Sequence, residues 1–304
     1  MMKYSFESVD QCSMCGSPTR RNKVLGKRLN QPQGLRPRRK VGITTTIVKC
    51  KVCGLIYANP LPIPENIQDH YGIPPTEYWN DNYFVPEENY FKSQLKTFKG
   101  LYQDPVTGDG LRALDIGAGI GKCMTALMHA GFESHGIEPS DAFYEMAINR
   151  SGVPAERLKL SCIENTEFED SYFDFITFGA VLEHLYNPST AIKNAVKWLK
   201  GGGLIHAEVP SSSWLVGSLA NLFYRATFSD YVGNLSPMHP PYHLYEFGLL
   251  SFRIHGQNNG YELAHHQYHV CETFMPRIID PILKRIMSIT KTGMQLEVWL
   301  KKLS

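Results

Sequence analysis

No apolar run in the 304 residues approaches the length needed to cross a bilayer, so no membrane-spanning helix is expected. The opening Met-Met-Lys-Tyr-Ser-Phe-Glu lacks the apolar core of a secretory leader, and the expected location is cytoplasmic. Acidic residues are missing from Gln11 to Lys51, a stretch that holds eleven Lys or Arg. The whole chain carries a formal charge of only +2, so a basic N-terminal segment precedes a net acidic body. That balance gives no global electrostatic case for a nucleic-acid partner. Apolar content of 43% and charged content of 20% are ordinary for a globular protein. The length allows one large domain or two smaller ones.

Seven cysteines in a chain read as intracellular point to thiols and metal ligands, not disulfides. Four of them form two knuckles, Cys12-Ser-Met-Cys15 and Cys50-Lys-Val-Cys53. This is the ligand count and type of a tetrahedral structural zinc site, so residues 1–58 are read as a zinc-binding module of zinc-ribbon type. Gly16 and Gly54 follow the second cysteine of each pair, where a knuckle often needs a positive φ. Four thiolates around Zn²⁺ are net negative, and the neighbouring Lys and Arg partly compensate that charge. Residues 20–40 read as an exposed loop or hairpin, either a phosphate- or RNA-binding surface or a solvated face. The β-branched run Ile43 to Lys49 reads as a strand.

Residues 59–75 hold five prolines and read as a linker. An aromatic stretch with Tyr83, Phe84, Tyr90 and Phe91 continues at helical spacing through Leu95 and Phe98. Residues 59–100 are therefore expected to be a linker and an aromatic helical lid over a ligand pocket.

The most informative stretch is Leu111 to Gly121, Leu-Arg-Ala-Leu-Asp-Ile-Gly-Ala-Gly-Ile-Gly. An apolar run suited to a buried strand meets a glycine turn, and helical spacing follows from Lys122. A phosphate loop is excluded, because Gly121-Lys122 is followed by Cys123 and no glycine stands five positions earlier. The dinucleotide fingerprint fits Gly117 and Gly119 but places Lys122 where its third glycine belongs. Asp115 fits neither pattern and suits a ligand with a cationic group. A second strand, Glu133 to Glu138, ends in an acid about twenty residues on, placed to accept bonds from ribose hydroxyls, with Pro139 after it. Further strands are expected near 158–163, 173–179, 204–210, 261–268 and 293–301, with helices between. The alternation predicts an α/β fold with a doubly wound, mostly parallel sheet and its ligand at the strand C-terminal ends.

The run Asp115-x-Gly117-x-Gly119-x-Gly121 resembles the first motif of the class I S-adenosylmethionine (SAM) methyltransferases. Phe173-Asp174 through Val181-Leu182-Glu183-His184-Leu185, then Leu199-Lys200-Gly201-Gly202-Gly203, resembles that family's later motifs. The resemblance implies a seven-stranded Rossmann-like methyltransferase domain over residues 101–304. It implies SAM held by Asp115, Gly117, Gly119, Glu138, Pro139, Cys162, Ile163 and Gly179, with Cys162 and Ile163 beside the adenine. Residues 211–247 exceed a minimal domain and are expected to form a lid or substrate insertion. Its apolar helix from Trp214 could instead be a dimer surface or a peripheral membrane contact. Ile278, Ile282, Leu283 and Ile286 share a helix face expected to pack on the core.

Methyl transfer to a hydroxyl or carbon acid needs a base, and histidine has the pKa for it. His243 and His184 are the candidate bases, with Tyr242 and Tyr245 orienting substrate. In some related quinone methyltransferases an arrangement like Glu183-His184 holds a divalent ion. The cysteine module in front and the Tyr/His segment behind resemble the deoxysugar C-methyltransferases and their relatives in surface-polysaccharide clusters. A small molecule, sugar nucleotide or glycan precursor is then the expected acceptor. An RNA-modifying or RNA-binding protein and a non-catalytic SAM-binding protein are the alternatives.

Overall fold

The computed structural model describes residues 4–30, 43–66, 74–78, 81–84, 89–102, 110–233, 243–271, 273 and 275–304. The N-terminal strands are β1 (Tyr4–Glu7), β2 (Lys23–Asn30), β3 (Ile43–Lys49), β4 (Ile56–Ala58) and β5 (Leu61–Pro64). β2 and β3 pair as an antiparallel hairpin, and β4 adds to β3. The proline-rich stretch expected to be a linker contains β5, which pairs antiparallel with β1. Pro62 and Pro64 are tolerated because this is a two-stranded edge, where a missing N–H need not break a ladder.

The body of the chain contributes β6 (Arg112–Ile116), β7 (Glu133–Glu138), β8 (Leu158–Leu160), β9 (Phe173–Gly179) and β10 (Leu199–Pro210). β11 (Tyr245–Glu246), β12 (Tyr261–His269) and β13 (Gln295–Lys302) follow. Seven of these form one sheet in the order β12-β13-β10-β9-β6-β7-β8. β10, β9, β6, β7 and β8 run parallel, and β13 lies antiparallel between β10 and β12. Strands buried on both faces read as near-continuous apolar runs, as in Phe173 to Phe178, where six successive residues are buried. Helices Lys122–His129, Asp141–Asn149 and Pro188–Trp198 cross between the parallel strands. The glycine run 201–203 lies inside β10. The last of these helices stops at Trp198, and the ladder with β9 shifts register between Leu199 and Leu204.

β11 leaves the body and pairs antiparallel with β4, which extends the cysteine module's sheet to β11-β4-β3-β2. Arg28 on β2 meets Glu246 on β11 at 2.6 Å, both side chains buried, and Arg28 also donates to the Gly233 carbonyl at 2.9 Å. The Lys27 amide donates to Asp230, and Val232 donates back to Lys27. The module is therefore built into the body by backbone pairing and a buried ion pair.

Helix Asp280–Thr290 corrects a core expectation. Ile278, Ile282 and Ile286 are exposed, and Met287 is the helix's buried side chain. Among the described residues no helix is long and apolar enough to cross a membrane.

Candidate active site

The corner after β6 folds around three positive-φ glycines, Gly117, Gly119 and Gly121. A Cβ at Gly117 would lie 2.6 Å from Val181, so only glycine lets this backbone pass the loop after β9. At Gly121 it would lie 2.5 Å from Val153, which ties the corner to the packing beneath it. The Glu138 carboxylate closes the turn from β7, accepting from the Gly119 amide at 2.7 Å and the Ser140 amide at 2.9 Å. Burial raises Glu138 to about 7 against the pull of those two amides.

Asp115 is buried at the end of β6, and its Oδ2 has no hydrogen-bond partner among the described residues. Burial, aided by the charge of Glu138, raises it to about 8. An orphaned buried carboxylate is costly unless a partner arrives, and a cationic ligand is the partner that fits. A cavity of about 350 Å³ opens here, lined by Asp115, Gly117, Gly119, Lys122, Gly179 and Glu208 among others. Tyr83, Tyr90, Phe91 and Gln94 line it too, so the aromatic segment covers the cofactor corner. The Lys122 ammonium sits 4.1 Å from the Tyr83 ring centre and 5.4 Å from that of Tyr90, a cation–π clasp between corner and cover.

The far wall of the cavity holds residues that sequence reasoning missed. His206 and Glu208 alternate with core residues along β10 and line the cavity. His206 is fully buried, with Nδ1 2.8 Å from the Thr177 hydroxyl, and burial lowers it to about 4. Gln94 donates to Glu208 at 2.9 Å. A polar pair inside an otherwise apolar strand was the available signal.

Past the C-terminal end of β9, Glu183 is buried and its Oε2 has no hydrogen-bond partner among the described residues. Burial raises its carboxyl to about 8. His243 Nε2 lies 3.9 Å from Glu183 Oε1, and the His184 and His243 rings meet edge-on at 4.6 Å. The backbone fixes this meeting. Leu244 donates to the Glu183 carbonyl at 2.8 Å, and Ala58 of the cysteine module donates to Leu244. These three side chains also offer ligand atoms within 4.8 Å of one another. They stand outside the lining of the 350 Å³ cavity, to which the neighbouring Gly179 belongs.

The four knuckle cysteines converge. Cys12 and Cys53 sulfurs are 3.5 Å apart and those of Cys15 and Cys50 are 3.6 Å apart. Four thiolates at about 2.3 Å from one Zn²⁺ would be spaced by about 3.8 Å, so the donor set fits that ion. Gly16 and Gly54 take the expected positive φ, and their amides close the knuckles onto the Cys12 and Cys50 carbonyls. The Cys53 thiol's hydrogen bond draws Cys12 down to about 6.

Other residues named from sequence lie elsewhere. Pro139, Cys162 and Ile163 do not line the described cavity, and Cys162 precedes a short 3₁₀ turn that β8 stops short of. Tyr245 is buried against Tyr57, its hydroxyl donating to the Tyr186 carbonyl at 2.9 Å, so it anchors the module and does not face the cavity. Tyr242 lies outside the described residues. Asp174 sits at the opposite end of β9, where it accepts from Tyr102, the Arg112 amide and Lys200. That makes it a brace for the sheet and removes it from the ligand end.

A family profile described as a methyltransferase domain matches residues 114–207, from β6 through β10. The ubiquinone biosynthesis O-methyltransferase of Coxiella burnetii is 27% identical over 179 residues, which cover 50% of this chain and 74% of that enzyme. An uncharacterized methyltransferase of Bacillus licheniformis is 29% identical over 144 residues, 45% of this chain and 66% of that protein. Among solved structures, a SAM-dependent methyltransferase from Mesorhizobium loti covers 69% of this chain and 98% of its own, at 13% identity and a TM-score of 0.48. With the Asp115 corner and the seven-stranded sheet order, the match makes residues 114–207 a methyltransferase domain of the class I SAM-dependent type.

Proposed function

We propose that the chain methylates an oxygen or carbon nucleophile on a small molecule or glycan precursor, with His243 as the general base and His184 as its neighbour. The observation that carries this reading is the contact of His243 with the buried Glu183 carboxylate beside the β9 terminus. Bound SAM supplies an electrophilic methyl on a sulfonium. Asp115 would accept from its cationic end, and the Gly117–Gly121 backbone would pack against it. Glu138, already braced by two amides, would have lone pairs left for ribose hydroxyls. The aromatic cover would exclude water. Glu183 would hold the His243 ring and stabilise its protonated form, as a carboxylate does for a catalytic imidazole. The O-methyltransferase relative from Coxiella favours oxygen as the acceptor atom. The same reading assigns Zn²⁺ to Cys12, Cys15, Cys50 and Cys53, in a structural role.

The test is incubation of the full chain with methyl-labelled SAM and a panel of phenols, quinols, nucleotide sugars and RNA. Transfer to a hydroxylated small molecule or sugar nucleotide supports the reading. Transfer to RNA alone, or to nothing while SAM binds, refutes it in favour of an RNA-directed or non-catalytic protein.

A further inference from the structure

The inner wall of the cofactor cavity carries a third set of ligand-type side chains, distinct from the four cysteines and from the Glu183, His184 and His243 group. His206 and Glu208 come from β10, and Glu297 from the antiparallel neighbour β13. In the β10–β13 ladder Glu208 stands directly opposite Glu297 and His206 opposite Trp299. Positions two apart on one strand share a face, so all three acidic and imidazole groups gather on one side of the sheet. One ligand atom from each lies within 4.8 Å of the others.

Two observations say that this cluster is made for something between its members. His206 is completely buried, yet its Nε2 has no hydrogen-bond partner among the described residues. That nitrogen is 3.7 Å from Glu208 Oε1 and 3.6 Å from Glu297 Oε1. Both separations are too long for an N–H···O hydrogen bond. They are close to the spacing of about 3.4 Å between ligands held about 2.1 Å from one tetrahedral ion. The outer contacts are those that metal ligands use. Thr177 holds the other imidazole nitrogen of His206 at 2.8 Å. Trp299 donates to Glu297 Oε1 at 2.7 Å and His269 Nε2 meets Glu297 Oε2 at 2.7 Å. Gln94 fixes Glu208. Such partners set ring orientation and carboxylate position before an ion arrives.

We propose that His206, Glu208 and Glu297 bind one divalent first-row cation in the wall of the cavity. One imidazole and two carboxylates without thiolate suit Mn²⁺, Fe²⁺ or Zn²⁺. His206 and Glu208 both line the cavity, so an ion held by them would border the ligand space. Taken with the methyltransferase reading, on which this step rests, an ionisable acceptor oxygen such as that of a phenol, enol or vicinal diol would be polarised there. The binding of the ion does not depend on that reading.

The experiment is Mn²⁺ titration of the full chain with its cysteine module already zinc-loaded, followed by electron paramagnetic resonance. One saturable Mn²⁺ per chain is expected, with electron spin-echo modulation from a single imidazole nitrogen. Glu297→Gln and Glu208→Gln should each weaken it by at least about tenfold, and His206→Asn should also abolish the nitrogen modulation. Glu183→Gln should leave the affinity unchanged. Thermal unfolding and SAM binding report whether each variant is folded. The proposal is overturned if wild type takes up no Mn²⁺ in large excess, if the bound ion shows no nitrogen modulation, or if affinity follows Glu183 instead of Glu297. No readout uses methyl transfer, so a chain that binds Mn²⁺ but methylates nothing would refute the enzyme reading alone.

Discussion

Glu183 and His243 come from segments sixty residues apart and meet only because Leu244 docks its amide on the Glu183 carbonyl. Removing the imidazole should spare the cofactor corner. His243→Gln is expected to retain SAM affinity and lose about 100-fold or more in kcat, measured by single-turnover methyl transfer. Equal turnover in the variant would take His243 out of the chemistry. The protonation of Glu183 gives a second handle. Burial keeps the carboxyl protonated until about pH 8, and only the ionised form can support a cationic His243. Activity should therefore rise with pH through about 8, and Glu183→Gln should flatten that limb of the kcat/KM profile. A pH profile identical in both proteins would rule out this pairing.

At the scale of elements, the cysteine module is a brace for the segment that carries His243. β4 pairs with β11, and β11 immediately follows His243 and Leu244. Stripping metal by a chelator, or Cys53→Ser, should lower the melting temperature. It should also depress turnover more than SAM affinity, because the module pairs with β11 beside His243, whereas the corner after β6 is closed by Glu138 from β7. An equal loss in both would argue against bracing. The ion pair across this junction is a separate lever. Burial pushes Glu246 above the usual carboxylate range although Arg28 pulls it down, so desolvation outweighs pairing there. Arg28→Met should cost about 3–5 kcal/mol by denaturant unfolding, and Arg28→Met with Glu246→Leu should regain most of it. Arg28 is already spent on Glu246 in a buried pair, whereas Lys27 meets Asp230 in an exposed one.

The same elements show what a sequence can carry. β6 and β9 were legible because each is a short apolar run buried on both faces, and the corner was legible because three glycines and Asp115 stand at fixed spacing. β11 was not, since two residues give no periodicity and their partner lies in another part of the chain. The amphipathic pattern of Ile278, Ile282 and Ile286 showed that they share a face but not whether that face is covered. Glu297 was hidden for another reason. Its relation to His206 exists only through the antiparallel register of β13 on β10, which no local spacing encodes.

Over the whole molecule, the ligand end of the seven-stranded sheet gathers a set of buried carboxylates. Asp115, Glu138, Glu183 and Glu208 are four carboxylates held there in buried surroundings, and burial raises each of them. An acidic, desolvated end of this kind is suited to receive a cation, which is what a sulfonium nucleoside carries. For Asp115 the sign follows directly. The free protein keeps a proton on this group up to about pH 8, and a bound cation favours the ionised form, so binding below that pH must expel the proton. The decisive measurement is calorimetric titration of SAM into the zinc-loaded chain, in buffers of different ionisation enthalpy, from pH 6 to 9. The account predicts saturable binding with proton release, an affinity that rises through pH 8, and loss of both the affinity and the release in Asp115→Asn. Absence of binding, or binding whose affinity and proton count are the same in Asp115→Asn, would contradict it.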